Sequence, residues 1–226
     1  MLNGEPIRLA RGAALPGHWD DQTGSARYEP VLWESLTGSL AAEDRFADVG
    51  ANIGVYTIAA ARRCAHVTAF EPDPKTSDRL LTHVRLNGLQ NVDVVVAAAG
   101  DRAGEVEFAA SGSPMASAGD GWLLGAPTCL VRMVPLDDVL TTVDVMKIDV
   151  EGYEGQVLLG ARALLSDPLR KPRCIFLEVH PPLLPLTGWD VERLRAQLLE
   201  FDYEVRPLEH ADRGVLETWV ATAPPR

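Results

Sequence analysis

The chain has 226 residues, about one and a half times the ~150-residue norm for a domain, so one large domain fits better than two. Apolar residues make up 46% and charged residues 23%, ordinary globular usage that excludes a disordered or fibrous chain. With 32 acids against 21 bases the net charge is −11, which disfavours binding to a phosphate backbone, and no apolar stretch reaches the roughly 18 residues of a membrane helix.

Residues 1–44 are the least regular and read as a lead-in or cap, with Trp19, Tyr28 and Trp33 as anchors. Residues 45–221 alternate short apolar runs with amphipathic stretches, the pattern of a mostly parallel sheet covered by helices on both faces. Arg45 to Val49 is the first strand, and an alanine-rich helix is expected over 53–64. His66 to Phe70 is the second strand. Pro74 favours a helix start there, carrying Leu80, Leu81 and Val84 inward and stopping at Asn87-Gly88. A third strand is expected over 92–98, a turn over 100–104 and an edge strand over 105–109. Residues 111–127, rich in Gly, Ser, Ala and Pro around Met115 and Trp122, read as a long loop able to cover a pocket. A fourth strand follows over 143–150. Val157, Leu158, Ala161, Leu164 and Leu165 then repeat at helical spacing. Cys174 to Val179 is the fifth strand. Thr187 and Asp190 resemble a capping box for a helix carrying Val191, Leu194, Leu198 and Phe201. Residues 203–208 and 216–221 form a closing antiparallel pair.

The first residues lack an apolar signal core, and Cys64, Cys129 and Cys174 are too dispersed for a metal motif. A reduced, cytoplasmic setting is expected, with the cysteines as small core residues. His18, His66, His83 and His210 are expected on the surface.

The turn after the first strand is Gly50-x-Asn52-x-Gly54, preceded by Asp48. Gly50 permits a sharp turn, Gly54 permits close helix–strand packing, and the helix start offers free N–H groups. A dinucleotide fingerprint is G-x-G-x-x-G, and this turn breaks it. Asp48 would repel a pyrophosphate but suit an ammonium group. Glu71 stands 21 residues after Gly50, at the tip of the second strand, where an acid accepts hydrogen bonds from ribose hydroxyls. A glutamate before proline is otherwise a solvated turn residue; its register here favours the ribose role. A ligand with a ribose and a positive charge but no pyrophosphate is met by S-adenosylmethionine (SAM).

Together, residues 46–57, 69–74, 99–101 and the run Lys147-Ile-Asp149-Val-Glu151-Gly-Tyr-Glu154 resemble the FkbM-type methyltransferases, class I enzymes that use SAM. The resemblance spans about 29–208. It implies a Rossmann-like, seven-stranded, mostly parallel sheet of order 3-2-1-4-5-7-6 within a single domain over 1–226. It implies a SAM site with Asp48, Gly50 and Asn52 at the methionine end, Gly54 in the same cofactor-binding turn, Glu71 at the ribose, and Ala99, Gly100 and Asp101 at the adenine. Asp101 reads equally well as a turn residue.

Lys147, Asp149 and Glu151 share one side of the fourth strand, and Glu178 and His180 one side of the fifth. Strand tips in open α/β sheets face the ligand crevice, so Asp149, Glu178 and His180 are expected to converge there as catalytic residues. Methyl transfer to a hydroxyl needs the acceptor placed near the methyl and its proton removed. His180 as a metal-free base is preferred. The alternative is a divalent cation such as Mg²⁺ on Asp149, Glu178 and His180 that acidifies the hydroxyl. Lys147 and Glu151 read as an ion-pair partner and a helix-start acid.

The expected activity is SAM-dependent O-methylation of a small molecule, a sugar or secondary metabolite of natural-product biosynthesis. Neither nucleic acid nor membrane is a partner, and a homodimer is the assembly considered. A non-catalytic SAM-binding regulator is the alternative, and a nicotinamide-dependent oxidoreductase a weaker one, disfavoured by the broken glycine fingerprint.

Overall fold

Parallel strands covered on both faces need continuous apolar runs, and the first such run forms a fully paired central strand. The computed structural model describes residues 1–10, 18–20, 25–109, 128–208 and 216–225. In chain order it has β1 (His18–Asp20), β2 (Ser25–Arg27), α1 (Pro30–Ser39), β3 (Arg45–Val49), α2 (Val55–Ala61), β4 (His66–Phe70), α3 (Pro74–Leu86), β5 (Val92–Val95) and β6 (Ala98–Ala99). These are followed by β7 (Gly104–Ala109), β8 (Thr128–Val134), β9 (Val145–Ile148), α4 (Glu154–Gly160), α5 (Arg162–Ser166), β10 (Cys174–Val179), α6 (Val191–Glu200), β11 (Glu204–Pro207) and β12 (Glu217–Thr222).

The main sheet has seven strands in the order β11-β12-β10-β9-β3-β4-β5. Read from the β5 edge and renumbered within the sheet, this is the expected 3-2-1-4-5-7-6. β3, β4, β5, β9 and β10 run parallel, and β12 is inserted antiparallel between β10 and β11. Alternate residues of each strand feed opposite faces. Phe46 and Phe176 join Trp33, Tyr56 and Ala59 on one side; Ala47, Val49, Ile175 and Leu177 join Val157, Leu158, Leu194 and Leu198 on the other. All seven residues of α2 are buried, and its alanines let it lie close on the sheet. Asp73 caps α3 by accepting from the Lys75 N–H, with Pro74 at the first helical position.

Several boundaries differ from expectation. The predicted third strand divides: β5 ends at Val95, and Ala98–Ala99 turn away to pair with Met133–Val134 of β8. A second sheet, β6-β8-β7, results, with β7 and β8 antiparallel. The helix expected from 157 is two short ones. The Asp137 carboxylate accepts from the Ala163 and Leu164 N–H groups at 2.8 and 2.7 Å and so fixes the start of α5. Asp190, not Thr187, caps α6, accepting from the Arg193 N–H at 2.7 Å; the Thr187 hydroxyl instead donates to the Gly152 and Leu184 carbonyls. Cys129 is exposed while Cys64 and Cys174 are buried. His83 is fully buried, its Nδ1 2.8 Å from the Ile53 carbonyl. Trp33 is buried as expected. The loop over 111–127, with Met115 and Trp122, lies outside the described residues, as does His210. No helix among the described residues is long and apolar enough to cross a membrane.

Candidate active site

The carboxyl ends of β3, β4 and β9 meet in one cleft. Its walls include Gly50, Asn52, Glu71, Ala99 and Asp149, five of the residues expected at the site, together with Phe70, Thr76, Ala97, Ala98, Phe108, Glu151 and Tyr153.

The glycine turn is tied to β4: the Gly50 and Ala51 N–H groups both donate to the Phe70 carbonyl, at 3.0 and 2.9 Å. Gly50 has φ 83°, and a Cβ there would stand 1.8 Å from the Asp149 carbonyl oxygen. Only glycine lets the turn come this close to the end of β9. Asn52 is also left-handed, at φ 51°. Its N–H donates to Glu71 Oε2 at 2.9 Å, and the Asp73 N–H donates to Glu71 Oε1 at 2.9 Å. Each Glu71 oxygen therefore keeps a lone pair for a ligand. Burial pushes the Glu71 carboxyl up to about 7, against the two N–H bonds, with Asp73 and Asp48 adding repulsion.

Three expected cofactor residues stand outside the cleft wall. Asp48 is buried behind the turn and accepts from the Thr57 hydroxyl at 2.5 Å. Gly54 packs against Leu80 at the start of α2. Asp101 pairs with the neighbouring Arg102, 3.1 Å from each carboxylate oxygen. The second sheet supplies Ala98, Ala99 and Phe108 instead, an apolar slot of two alanines and an aromatic ring.

At the other end of the cleft the tips of β9 and β10 carry a buried charge network. Lys147, 2% exposed, lies 3.1 Å from Asp149 Oδ2 and 2.8 Å from Glu178 Oε1, with its ammonium 5.0 Å from the Tyr56 ring centre. Burial opposes the Lys147 charge, but Asp149 and Glu178 outweigh it and hold the group protonated. Burial likewise opposes the Asp149 charge, and Lys147 and His180 overcome it, so this carboxyl is held below its ordinary range. Glu178 is pushed up, first by burial and then by Asp149. The Tyr56 hydroxyl donates to Glu29 Oε2 at 2.7 Å, which draws the start of α1 over this layer.

His180 is set between acids. Its Nδ1 is 2.7 Å from Glu154 Oε1; its Nε2 is 3.2 Å from Glu151 Oε2 and 3.9 Å from Asp149 Oδ1. Burial works against the imidazolium, but the Glu154 hydrogen bond and the Glu151, Glu154 and Asp149 charges lift His180 to about 9. Glu151 is raised to about 7, chiefly by burial. Glu154 is completely buried, also accepts from the Gly152 N–H at 3.0 Å, and its Oε2 has no hydrogen-bond partner among the described residues.

Asp149 and His180 thus converge as expected. Glu178 joins the same network, paired with Lys147 and hydrogen-bonded with Asp149. Ligand atoms of Asp149, Glu151 and His180 lie within 4.8 Å of one another, and the backbone turns left-handed at Glu151, φ 50°, just past the strand. Glu154 carried no separable signal: an acid in the first turn of a helix reads as dipole compensation.

Residues 48–205 match the model of the methyltransferase FkbM domain. Over 149 residues the chain is 28% identical to the hexuronic acid methyltransferase AglP of Haloferax volcanii, covering 63% of this chain and 59% of that protein. A solved methyltransferase FkbM from Methylobacillus flagellatus KT superposes with a TM-score of 0.59 at 20% identity, covering 83% of this chain and 47% of that one. The magnesium protoporphyrin IX methyltransferase of Synechocystis PCC 6803, solved with bound SAM, superposes with a TM-score of 0.54 at 13% identity, covering 86% of this chain and 76% of that one. The chain thus spans about half to three-fifths of the first two proteins' length.

Proposed function

Since the chain belongs to the FkbM methyltransferase family, we propose that it transfers a methyl group from SAM to a hydroxyl of a small molecule, in the first instance a sugar. One observation carries the cofactor assignment. The cleft joins a glycine turn too tight for any side chain, a buried carboxylate with free lone pairs at the β4 tip, and an apolar slot that includes Ala98, Ala99 and Phe108. These suit, in order, the aminoacyl end, the ribose hydroxyls and the purine of SAM. Asp48 acts at one remove, steadying the turn through Thr57. Asp101 is left with a turn role.

When bound, SAM supplies an electrophilic methyl carbon; the acceptor oxygen bonds to it while the carbon–sulfur pair returns to sulfur. The chain's part is to hold the oxygen in line and to take up its proton or favour its loss. We assign this part to Asp149, in the cleft wall, and to His180 beside it, with Lys147 favouring the ionised form of Asp149. Glu178 works indirectly, by holding Lys147.

The sugar assignment is supported by the 28% identity to a hexuronic acid methyltransferase. Incubation with SAM and a panel of hexoses, hexuronates and glycosides, read by mass spectrometry, tests it. A gain of one methyl on a hydroxyl, with equimolar S-adenosylhomocysteine, is the expected outcome. SAM binding with no methyl transfer to any acceptor would favour a regulatory binder.

A further inference from the structure

The surroundings of His180 are unusual because carboxylates face both of its ring nitrogens. A neutral imidazole has one N–H and one lone pair. With the Nδ1–H donated to Glu154 at 2.7 Å, the Nε2 lone pair points at Glu151 Oε2, 3.2 Å away, and toward Asp149 Oδ1, 3.9 Å away. Lone pair against carboxylate is repulsive unless positive charge lies between them: a proton on Nε2 in the ion-free protein, or a metal ion in its place.

We propose that Asp149, Glu151 and His180 form a divalent-cation site of the magnesium or manganese type at the acceptor end of the cleft. The spacing fits. Adjacent ligand atoms around an ion at ~2.1 Å stand about 3 Å apart, so Glu151 Oε2 and His180 Nε2 already have that separation, and Asp149 Oδ1 is within about 1 Å of it. The supporting residues fit as well. A ligating histidine characteristically donates its other N–H to a carboxylate, which fixes the tautomer, and fully buried Glu154 does this. Lys147 holds the opposite oxygen of Asp149, leaving Oδ1 turned to the site. Two carboxylates and one imidazole, with no thiolate, suit a hard ion that fills its remaining positions with water. Those positions open to the cleft, whose wall includes Asp149 and Glu151.

His180 is then a ligand rather than the free base read from the sequence, and Glu151, read there as a helix-start acid, is the third ligand. The ion's role rests on the methyl-transfer reading: an acceptor hydroxyl bound to it becomes more acidic and is held in place. Its binding does not rest on that reading.

The test is titration of the full chain, stripped with EDTA and dialysed, with Mn²⁺ alone, followed by the loss of the free-ion electron paramagnetic resonance signal. We expect one ion per chain at sub-millimolar affinity, displaced by excess Mg²⁺, with spin-echo modulation from a directly bound imidazole nitrogen. Glu151→Gln and His180→Asn should each weaken uptake at least tenfold, and His180→Asn should remove the nitrogen modulation. No uptake by the wild-type chain, or uptake without nitrogen modulation, overturns the site. The wild-type result decides this even if a variant fails to fold. SAM calorimetry on the same sample reports separately on the cofactor assignment, since the Mn²⁺ titration uses neither SAM nor acceptor.

Discussion

Glu71 is a residue whose ionisation the cofactor should feel. Its carboxyl is lifted from 4.5 to about 7, chiefly by burial. Ribose hydroxyls donate to the ionised form, so SAM affinity should rise with pH through 7 and level off above it. One unit below that value, about nine-tenths of the groups hold a proton, and affinity should be down roughly tenfold. The sign for the free protein is opposite. A carboxyl whose folded value is raised favours folding below its ordinary value, and that contribution is lost as pH climbs from 4.5 to about 7. Thermal melts should therefore show a larger SAM-induced shift at pH 8 than at pH 6, and Glu71→Gln should remove the difference. A pH-independent shift in the wild-type chain would contradict it. Buried His83 acts through a hydrogen bond instead. It bonds the carbonyl of Ile53, inside the glycine turn. His83→Ala should cost about 1–3 kcal/mol in urea unfolding, since a buried carbonyl loses its donor, and an unchanged midpoint would show the bond to be dispensable.

At the scale of elements, packing between α4 and the strand connections shapes the site. A Cβ at Gly160 would stand 1.8 Å from the Gly100 carbonyl oxygen. Gly160→Ala must push α4 away from the segment that includes Ala99, so we expect at least ~2 kcal/mol of destabilisation and weaker SAM binding. Retention of both would mean that the segment yields freely. How much of this was legible in the sequence follows from the range of the contacts. The turn from Gly50 to Gly54, Glu71 and the tips at Asp149 and His180 were readable because strand, turn and helix repeat at short spacing. The second sheet was not. β6 is two alanines whose pairing depends on β8, more than 30 residues on, and nothing local marks the change of partner. Glu151 and Glu154 were visible as acids, but their role depends on His180, 26 or more residues away. His83 looked like a surface residue because the partner of its ring is a backbone carbonyl, that of Ile53 in the glycine turn, 30 residues away.

At the scale of the whole molecule, the order β11-β12-β10-β9-β3-β4-β5 aligns the carboxyl ends of β3, β4 and β9, and the reactive groups gather at that end. The turn at that end, Gly50-x-Asn52-x-Gly54, lacks the third glycine with which a dinucleotide turn admits a pyrophosphate. NADH should therefore produce no binding heat under conditions in which SAM does, and measurable NADH affinity would revive the oxidoreductase alternative. The central claim is that SAM occupies this cleft through Glu71. Isothermal titration of SAM into the wild-type chain and into Glu71→Ala at pH 8 tests it most directly, because two charge-assisted hydrogen bonds of about 1.5–3 kcal/mol each are removed. The account predicts one SAM per wild-type chain and at least a tenfold weaker affinity in a folded Glu71→Ala. No SAM binding by the wild-type chain, or equal affinity in both, would contradict it.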